Sequence, residues 1–122
     1  MDESGIKALR AKGDAQRVIL IALEQRLYSE ALGAAIRGYR PRSNVKIVDP
    51  GALGPAVGRL VPDLVLCDQP VHDGVAERLA WIEYRPYTAS KATLHVRDQR
   101  FELDVSGLAD LLSVVDKAED LL

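Results

Sequence analysis

A short apolar run with an aspartate at each end constrains the fold most. This stretch, Asp63–Asp68, reads Asp-Leu-Val-Leu-Cys-Asp, and Pro62 precedes it. Four apolar residues between turn signals predict a strand that is covered on both faces, as in the centre of a parallel sheet. Asp68 then lies at the carboxyl end of that strand, where open α/β sheets collect ligands and chemistry. The functional question is whether Asp68 belongs to a working site.

The first half of the chain predicts two more strands with helices between them. Residues 17–23 form a second apolar run, which predicts a second buried strand, and residues 44–48 predict a third, short strand. A weaker helix, interrupted by glycines, is predicted over residues 52–60. A stronger helix is predicted from residue 27 to residue 39, with an apolar face formed by Tyr28, Leu32, Ala35, Ile36 and Tyr39. This half therefore predicts a parallel β-α-β-α-β order with right-handed crossovers.

The second half of the chain has the alternating pattern of half-buried strands. Apolar and polar residues alternate over residues 78–84, 92–97 and 101–105. Such alternation predicts an antiparallel meander of three strands, buried on one face and solvated on the other. His95 falls on the solvated face. The residues between the last two runs include no glycine, so the pattern leaves the turn type open.

A final helix is predicted after Ser106, which we expect to cap it, with Asp110 a turn further on. Two interpretations of its wide apolar stripe remain open. The stripe covers the sheet, or part of it meets a second copy of the chain. The candidate interface residues are Leu111, Leu112 and Val115.

Length and composition predict one domain over residues 17–122, preceded by a flexible polar arm over residues 1–16. The net charge of −2 gives no electrostatic case for a nucleic-acid or anionic-membrane partner. The longest apolar run is too short to cross a bilayer, and the N-terminus lacks the features of a signal peptide. The single cysteine, Cys67, fits a reducing compartment. We therefore expect a cytoplasmic protein.

Two segments resemble the receiver domains of response regulators. Residues 17–32 read Arg-Val-Ile-Leu-Ile-Ala-Leu-Glu-Gln-Arg-Leu-Tyr-Ser-Glu-Ala-Leu, and residues 62–68 read Pro-Asp-Leu-Val-Leu-Cys-Asp. They are similar to that family's first strand with its following helix, and to its third strand. The resemblance covers residues 17–74. It implies a flavodoxin-like or receiver-like three-layer sandwich, in which a meander and a C-terminal helix replace the family's last two β-α units.

The resemblance also implies a site, from which this chain departs. Asp68 takes the phosphoacceptor position. The family's acidic pair corresponds to Leu23 and Glu24, so only Glu24 keeps a carboxylate. The Asp-Gly of the following loop is kept at Asp73 and Gly74, but the loop is shorter. The threonine or serine and the lysine that sense the phosphoryl group cannot be placed. The pattern is that of a degenerate receiver, a pseudo-receiver.

A cation site would be needed for phosphoryl transfer to Asp68, because the metal neutralises the charge of the donor. Glu24 and Asp68, at adjacent strand ends, are the candidate ligands of a weak Mg²⁺ site. His72 and Asp73 are candidate site-lining residues in the loop beside Asp68. No zinc-ligand spacing and no nucleophile elbow occur in the sequence. We therefore expect no enzyme activity and no resident cofactor beyond this weak Mg²⁺ site.

Three functional hypotheses follow. The first is a stand-alone, non-catalytic, pseudo-receiver-like domain that regulates by binding protein and forms a homodimer. The second is a phospho-accepting single-domain regulator that uses Asp68 with Mg²⁺. The third is a domain that binds a small ligand in the crevice at the strand ends.

Overall fold

The computed structural model describes residues 17–69, 80–85, 90–97 and 99–122. The predicted arm and nearly all of the loop after Asp68 lie outside the described residues. The strands are β1 (Val18–Ala22), β2 (Asn44–Ile47), β3 (Leu64–Cys67), β4 (Ala80–Tyr84), β5 (Lys91–Val96) and β6 (Gln99–Asp104). The helices are α1 (Arg26–Tyr39), α2 (Leu53–Leu60) and α3 (Leu108–Leu121), and a 3₁₀ turn, Pro50–Ala52, leads into α2.

The six strands form one mixed sheet in the order β2-β1-β3-β4-β5-β6. The first four strands are parallel, and β5 and β6 continue the sheet antiparallel to their neighbours. The α/β class, the β-α-β-α-β first half and the antiparallel meander are therefore confirmed. The complete strand order and the three helices of the described residues differ from a receiver domain, so the predicted flavodoxin-like arrangement is not confirmed.

Helices cover both faces of the sheet because successive strand residues point to opposite sides. Ile19 and Ile21 of β1 join the larger core, which α1 and α3 cover, whereas Leu20 joins a smaller core under α2. Gly33 lets α1 approach β2, since a Cβ there would lie 3.2 Å from Ile47 Cδ1. Tyr39, predicted on the buried face of α1, is 66 % exposed because the helix end projects beyond the sheet.

The final helix packs its apolar stripe onto the chain's own sheet. Leu111 and Val115, which were candidate interface residues, are buried in the larger core, and Leu112 is half-buried. They lie inside the fold because α3 contacts β4 and β5 directly. The stripe therefore covers the sheet, and an interface with a second copy cannot use Leu111 or Val115 in this fold.

The start of α3 differs from the prediction by one residue. Gly107, and not Ser106, takes the N-cap position. The bonding is also reversed, since the backbone N–H and the hydroxyl of Ser106 both donate to Asp110 Oδ2, over 2.9 and 2.7 Å. These two bonds, the side-chain one first, lower the pKa of the Asp110 carboxyl. A carboxylate in the first turn also suits the positive end of the helix dipole.

Leu66→Ala in the central strand should lower the free energy of unfolding by about 2–5 kcal/mol. The side chain of Leu66 is 1 % exposed, and the packed core around it cannot close the cavity that the substitution leaves. Leu27→Ala is the control, because that leucine is 81 % exposed. It should change the free energy by less than about 0.5 kcal/mol. Urea denaturation measures both, and equal effects would contradict the described packing.

Candidate functional site

The carboxylate of Asp68 fastens two neighbouring strand ends together. Asp68 directly follows β3, and its Oδ2 accepts a hydrogen bond from the backbone N–H of Glu24 over 2.8 Å. Glu24 lies in the short loop between β1 and α1, where a backbone N–H needs a partner from outside the helix and the strand. The Asp68 side chain therefore satisfies a backbone donor and joins the β1–α1 loop to the central strand.

Asp63 performs the same task at the other end of β3. Its Oδ2 accepts the backbone N–H of Val18 over 2.8 Å, and its own N–H donates to the carbonyl of Val18, also over 2.8 Å. The two aspartates that flank the apolar run thus hold the two ends of β1 in register with β3. Their positions in the sequence have a structural explanation that involves no ligand.

Because Oδ2 of Asp68 is hydrogen-bonded, Oδ1 is the carboxylate oxygen of this residue that remains available for chemistry at the carboxyl ends of the strands. Oδ1 is enclosed and has no hydrogen-bond partner within the described part of the chain. Glu24, the other candidate metal ligand, is exposed beside it. Across the described ranges, no three histidine, cysteine or acidic side chains are grouped as a metal site. His72 and Asp73 lie outside the described residues.

Cys67 is a buried thiol next to this edge. It is 2 % exposed, and its Sγ donates to the carbonyl of Gln69 over 3.2 Å. Burial, together with the nearby carboxylates of Glu83 and Asp68, raises the pKa of the thiol to about 12. Since the thiolate is the nucleophilic form, Cys67 is not poised for reaction at neutral pH.

A stacked aromatic pair occupies the polar face of the meander. Trp81 of β4 lies opposite His95 of β5, with ring centroids 4.0 Å apart and planes 9° apart. Burial, followed by the charge of Arg100, lowers the pKa of His95, so the imidazole is neutral at pH 7. The alternating pattern placed His95 on this face, as observed. It could not reveal the stack, because that depends on the register between the two strands.

A surface cavity of about 450 Å³ lies at the amino ends of the parallel strands, next to the residues that precede β1 and β2. Residues from the chain entrance, the α1–β2 connection and the end of α3 line it. They are Arg17, Tyr39, Arg40, Pro41, Arg42, Ser43, Glu119 and Asp120. In the sequence, Arg37, Arg40 and Arg42 stand close together at the end of α1. The acidic wall comes from a helix about 76 residues further along the chain.

Arg40 forms one wall of this cavity and ties α1 to α3. Its Nε donates to Asp116 Oδ1 over 2.8 Å, and its Nη2 contacts the same oxygen. Its Nη1 lies 2.7 Å from Glu119 Oε1, an ion pair whose angles are not those of a hydrogen bond. Burial raises the pKa of Glu119, whose side chain is 5 % exposed, although the charge of Arg40 opposes that shift. The charge of Arg40 thus favours the ionised form of this carboxyl.

Comparisons with protein-family models, with curated proteins and with solved structures found no match. Within the described residues, no helix has both the length and the apolar character needed to cross a membrane.

Replacing Arg40 by glutamine should destabilise the fold more at pH 7 than at pH 5. We expect a loss of about 1–3 kcal/mol at pH 7, below the cost of breaking a fully buried pair, because the Arg40 side chain is 37 % exposed. A carboxyl group whose pKa is raised on folding stabilises the folded state at pH values below its pKa in the unfolded state. This stabilisation is lost as the pH rises through the pKa of the folded state. Without Arg40 that pKa rises further, so acidification should recover part of the loss.

The measurement is urea denaturation of the wild type and Arg40→Gln at both pH values. Arg42→Gln is the matched control, since Arg42 is exposed and makes no ion pair among the described residues. A deficit of the same size at both pH values would show that Glu119 does not depend on Arg40.

Proposed function

We propose that this chain is a non-catalytic, pseudo-receiver-like domain that regulates by binding protein, including a second copy of itself. The observation that carries this proposal is the matching use of Asp68 and Asp63. Both carboxylates accept a backbone N–H over 2.8 Å, Asp63 from Val18 at the start of β1 and Asp68 from Glu24 in the loop after β1. Asp63 does so at the amino ends of the parallel strands, where no chemistry is expected. The carboxylate at the phosphoacceptor-like position thus has a sufficient role in the scaffold.

The sheet supports the receiver-like part of this proposal. Its four parallel strands have the order β2-β1-β3-β4, which agrees with the beginning of the flavodoxin-like order. A live phosphoacceptor would need both a reactive carboxylate and a cation held beside it. Here one oxygen of Asp68 is committed to the backbone, and Glu24 offers the only other carboxylate from the family pattern.

Incubation with acetyl phosphate and Mg²⁺, followed by intact-mass spectrometry, tests the proposal. We expect no gain of a phosphoryl group in the wild type, in Asp68→Asn or in Asp63→Asn. A gain in the wild type and Asp63→Asn, absent from Asp68→Asn, would instead establish the phospho-accepting regulator, with Oδ1 as the reacting atom. Both substitutions should cost a similar, small free energy of unfolding, about 0.5–1.5 kcal/mol, because each weakens one equivalent hydrogen bond.

The cavity favours a second candidate function, the binding of a small organic anion. Arg17 and Arg42 line it and are not in ion pairs within the described residues, whereas Arg40 is neutralised by its two carboxylates. Ser43 adds a hydroxyl donor, and Tyr39 offers an exposed ring. The volume suits a small ligand. Glu119 and Asp120 on the other wall disfavour a highly charged one, so a monophosphate fits better than a polyphosphate.

Thermal unfolding with adenosine monophosphate, or with inorganic phosphate alone, tests this candidate. A ligand that binds only the folded state raises Tm with concentration. We expect a rise in the wild type and in Arg59→Gln, an exposed arginine on α2, and a smaller rise in Arg42→Gln. The same shift in all three proteins would mean that the cavity is not the binding site, and no shift would remove this candidate.

A further inference from the structure

The strand β6 ends the sheet and offers an unpaired edge. It pairs with β5 on one side, and within the described residues no strand lies on its other side. An open edge presents backbone N–H and C=O groups that can pair with another chain. It is also six residues long, against four for β2 at the opposite edge.

The pairing with β5 determines which backbone groups of β6 are free. Val105 donates its N–H to the carbonyl of Ser90 over 2.8 Å, and these residues continue the register in which Lys91 lies opposite Asp104. In an antiparallel ladder, hydrogen-bonded and non-hydrogen-bonded pairs alternate. The pairs that bond to β5 therefore include Leu103 and Phe101. The backbone groups that point outward belong to Arg100, Glu102 and Asp104.

We propose that β6 pairs antiparallel with β6 of a second copy, around a two-fold axis that passes through Phe101 and is perpendicular to the sheet. This inference rests on the proposed function, for which it names the partner and the surface. The result is a continuous sheet of twelve strands, since each copy contributes six. Such an interface is isologous, so the same residues contribute from both copies.

The charges of β6 select this register. A two-fold axis perpendicular to the sheet does not exchange its two faces, so residues paired across the axis must lie on the same face. Side chains alternate between the faces along a strand, and the axis must therefore pass through a residue and not between two residues. With the axis at Phe101, Arg100 of each copy lies opposite Glu102 of the other, giving two pairs of opposite charge. With the axis at Glu102, Arg100 of each copy would lie opposite Asp104 of the other, but Glu102 would face Glu102 across the axis, so a pair of like charges would oppose the two favourable pairs. Opposite charges stabilise a cross-strand pair and like charges destabilise it.

The backbone pattern and the neighbouring face agree with this arrangement. Arg100 and Glu102 carry the outward backbone groups, so each proposed cross-copy pair is a hydrogen-bonded one. Phe101 then forms a non-hydrogen-bonded pair with its copy, where Cα atoms approach to about 4.5 Å. Phe101 and Leu103 are only half-buried in the single chain, and Lys117 Nζ lies 4.8 Å above the Phe101 ring. The axis therefore brings together apolar side chains that the single chain leaves partly exposed.

Two charge reversals test the pairing, separately and mixed. Arg100→Glu leaves three acids and no base in β6, and Glu102→Arg places two bases at positions 100 and 102. The facing residues 100 and 102 then carry the same sign, so each variant alone should be monomeric by light scattering where the wild type is dimeric. An equimolar mixture should form a heterodimer, because each pair across the axis regains opposite charges. Arg59→Glu, the same change on α2 and away from β6, should remain dimeric.

Cysteine cross-linking provides a second test that does not depend on charge. On the axis, Phe101→Cys should give a disulfide-linked dimer under mild oxidation, whereas Glu102→Cys, off the axis, should give much less. The native Cys67 is buried and does not interfere. Circular dichroism checks that each variant folds. If a charge-reversal variant does not fold, the cross-linking of Phe101→Cys decides the question.

Each contrary result has its own meaning. A wild type that stays monomeric at millimolar concentration overturns the proposal. A dimer that survives both charge reversals places the interface elsewhere and leaves self-association intact. Stronger cross-linking in Glu102→Cys than in Phe101→Cys moves the axis to Glu102 and overturns the proposed register. None of these results bears on phosphorylation of Asp68, which is measured separately.

Discussion

The burial of β3 between two parallel neighbours is the constraint on which the structure depends. Every residue of β3 is at most 2 % exposed, so the strand must be covered on both faces and paired on both edges. Helices on both sides of the sheet meet the first need, and β1 and β4 meet the second. Backbone donors around the ends of such a strand also need partners, and Asp63 and Asp68 accept one each, from β1 and from the loop that follows β1. The core and its acidic ends form one unit.

An aspartate at the carboxyl end of a buried parallel strand is therefore ambiguous evidence for function. The position is where α/β proteins place their chemistry, but it is also where a loop leaves the sheet with unpaired backbone donors. Bonding separates the two roles better than position does. The carboxylates of Asp68 and Asp63 each accept a backbone N–H over the same distance, 2.8 Å, although Asp63 lies at the amino ends of the parallel strands, where no chemistry is expected. A scaffold role explains both residues with one physical reason.

Local patterns in the sequence predicted the elements, and the structure confirms them with shifts of one or two residues at their ends. The pattern failed where tertiary position decides. Tyr39 has the right helical spacing but is 66 % exposed. The spacing left open whether Leu111 covers the sheet or meets a second copy, and the contacts of α3 with β4 and β5 decide for the sheet. The candidate site was predictable only at Asp68 and Glu24, which follow apolar runs. The ion pairs of Arg40 with Asp116 and Glu119 join distant parts of the chain, and no single-sequence pattern encodes such a contact.

The two edges of the sheet differ in a way that protection against aggregation alone does not explain. The exposed charge on β2 is Lys46, and lysine on a short strand is a common means of blocking edge pairing. Strand β6 is longer, and its outward backbone groups belong to residues of both signs, Arg100, Glu102 and Asp104. Charges of one sign would protect an edge more effectively, because they repel any copy of themselves. A base beside two acids instead allows a second copy to place opposite charges in contact, so this arrangement favours pairing with a copy over simple protection.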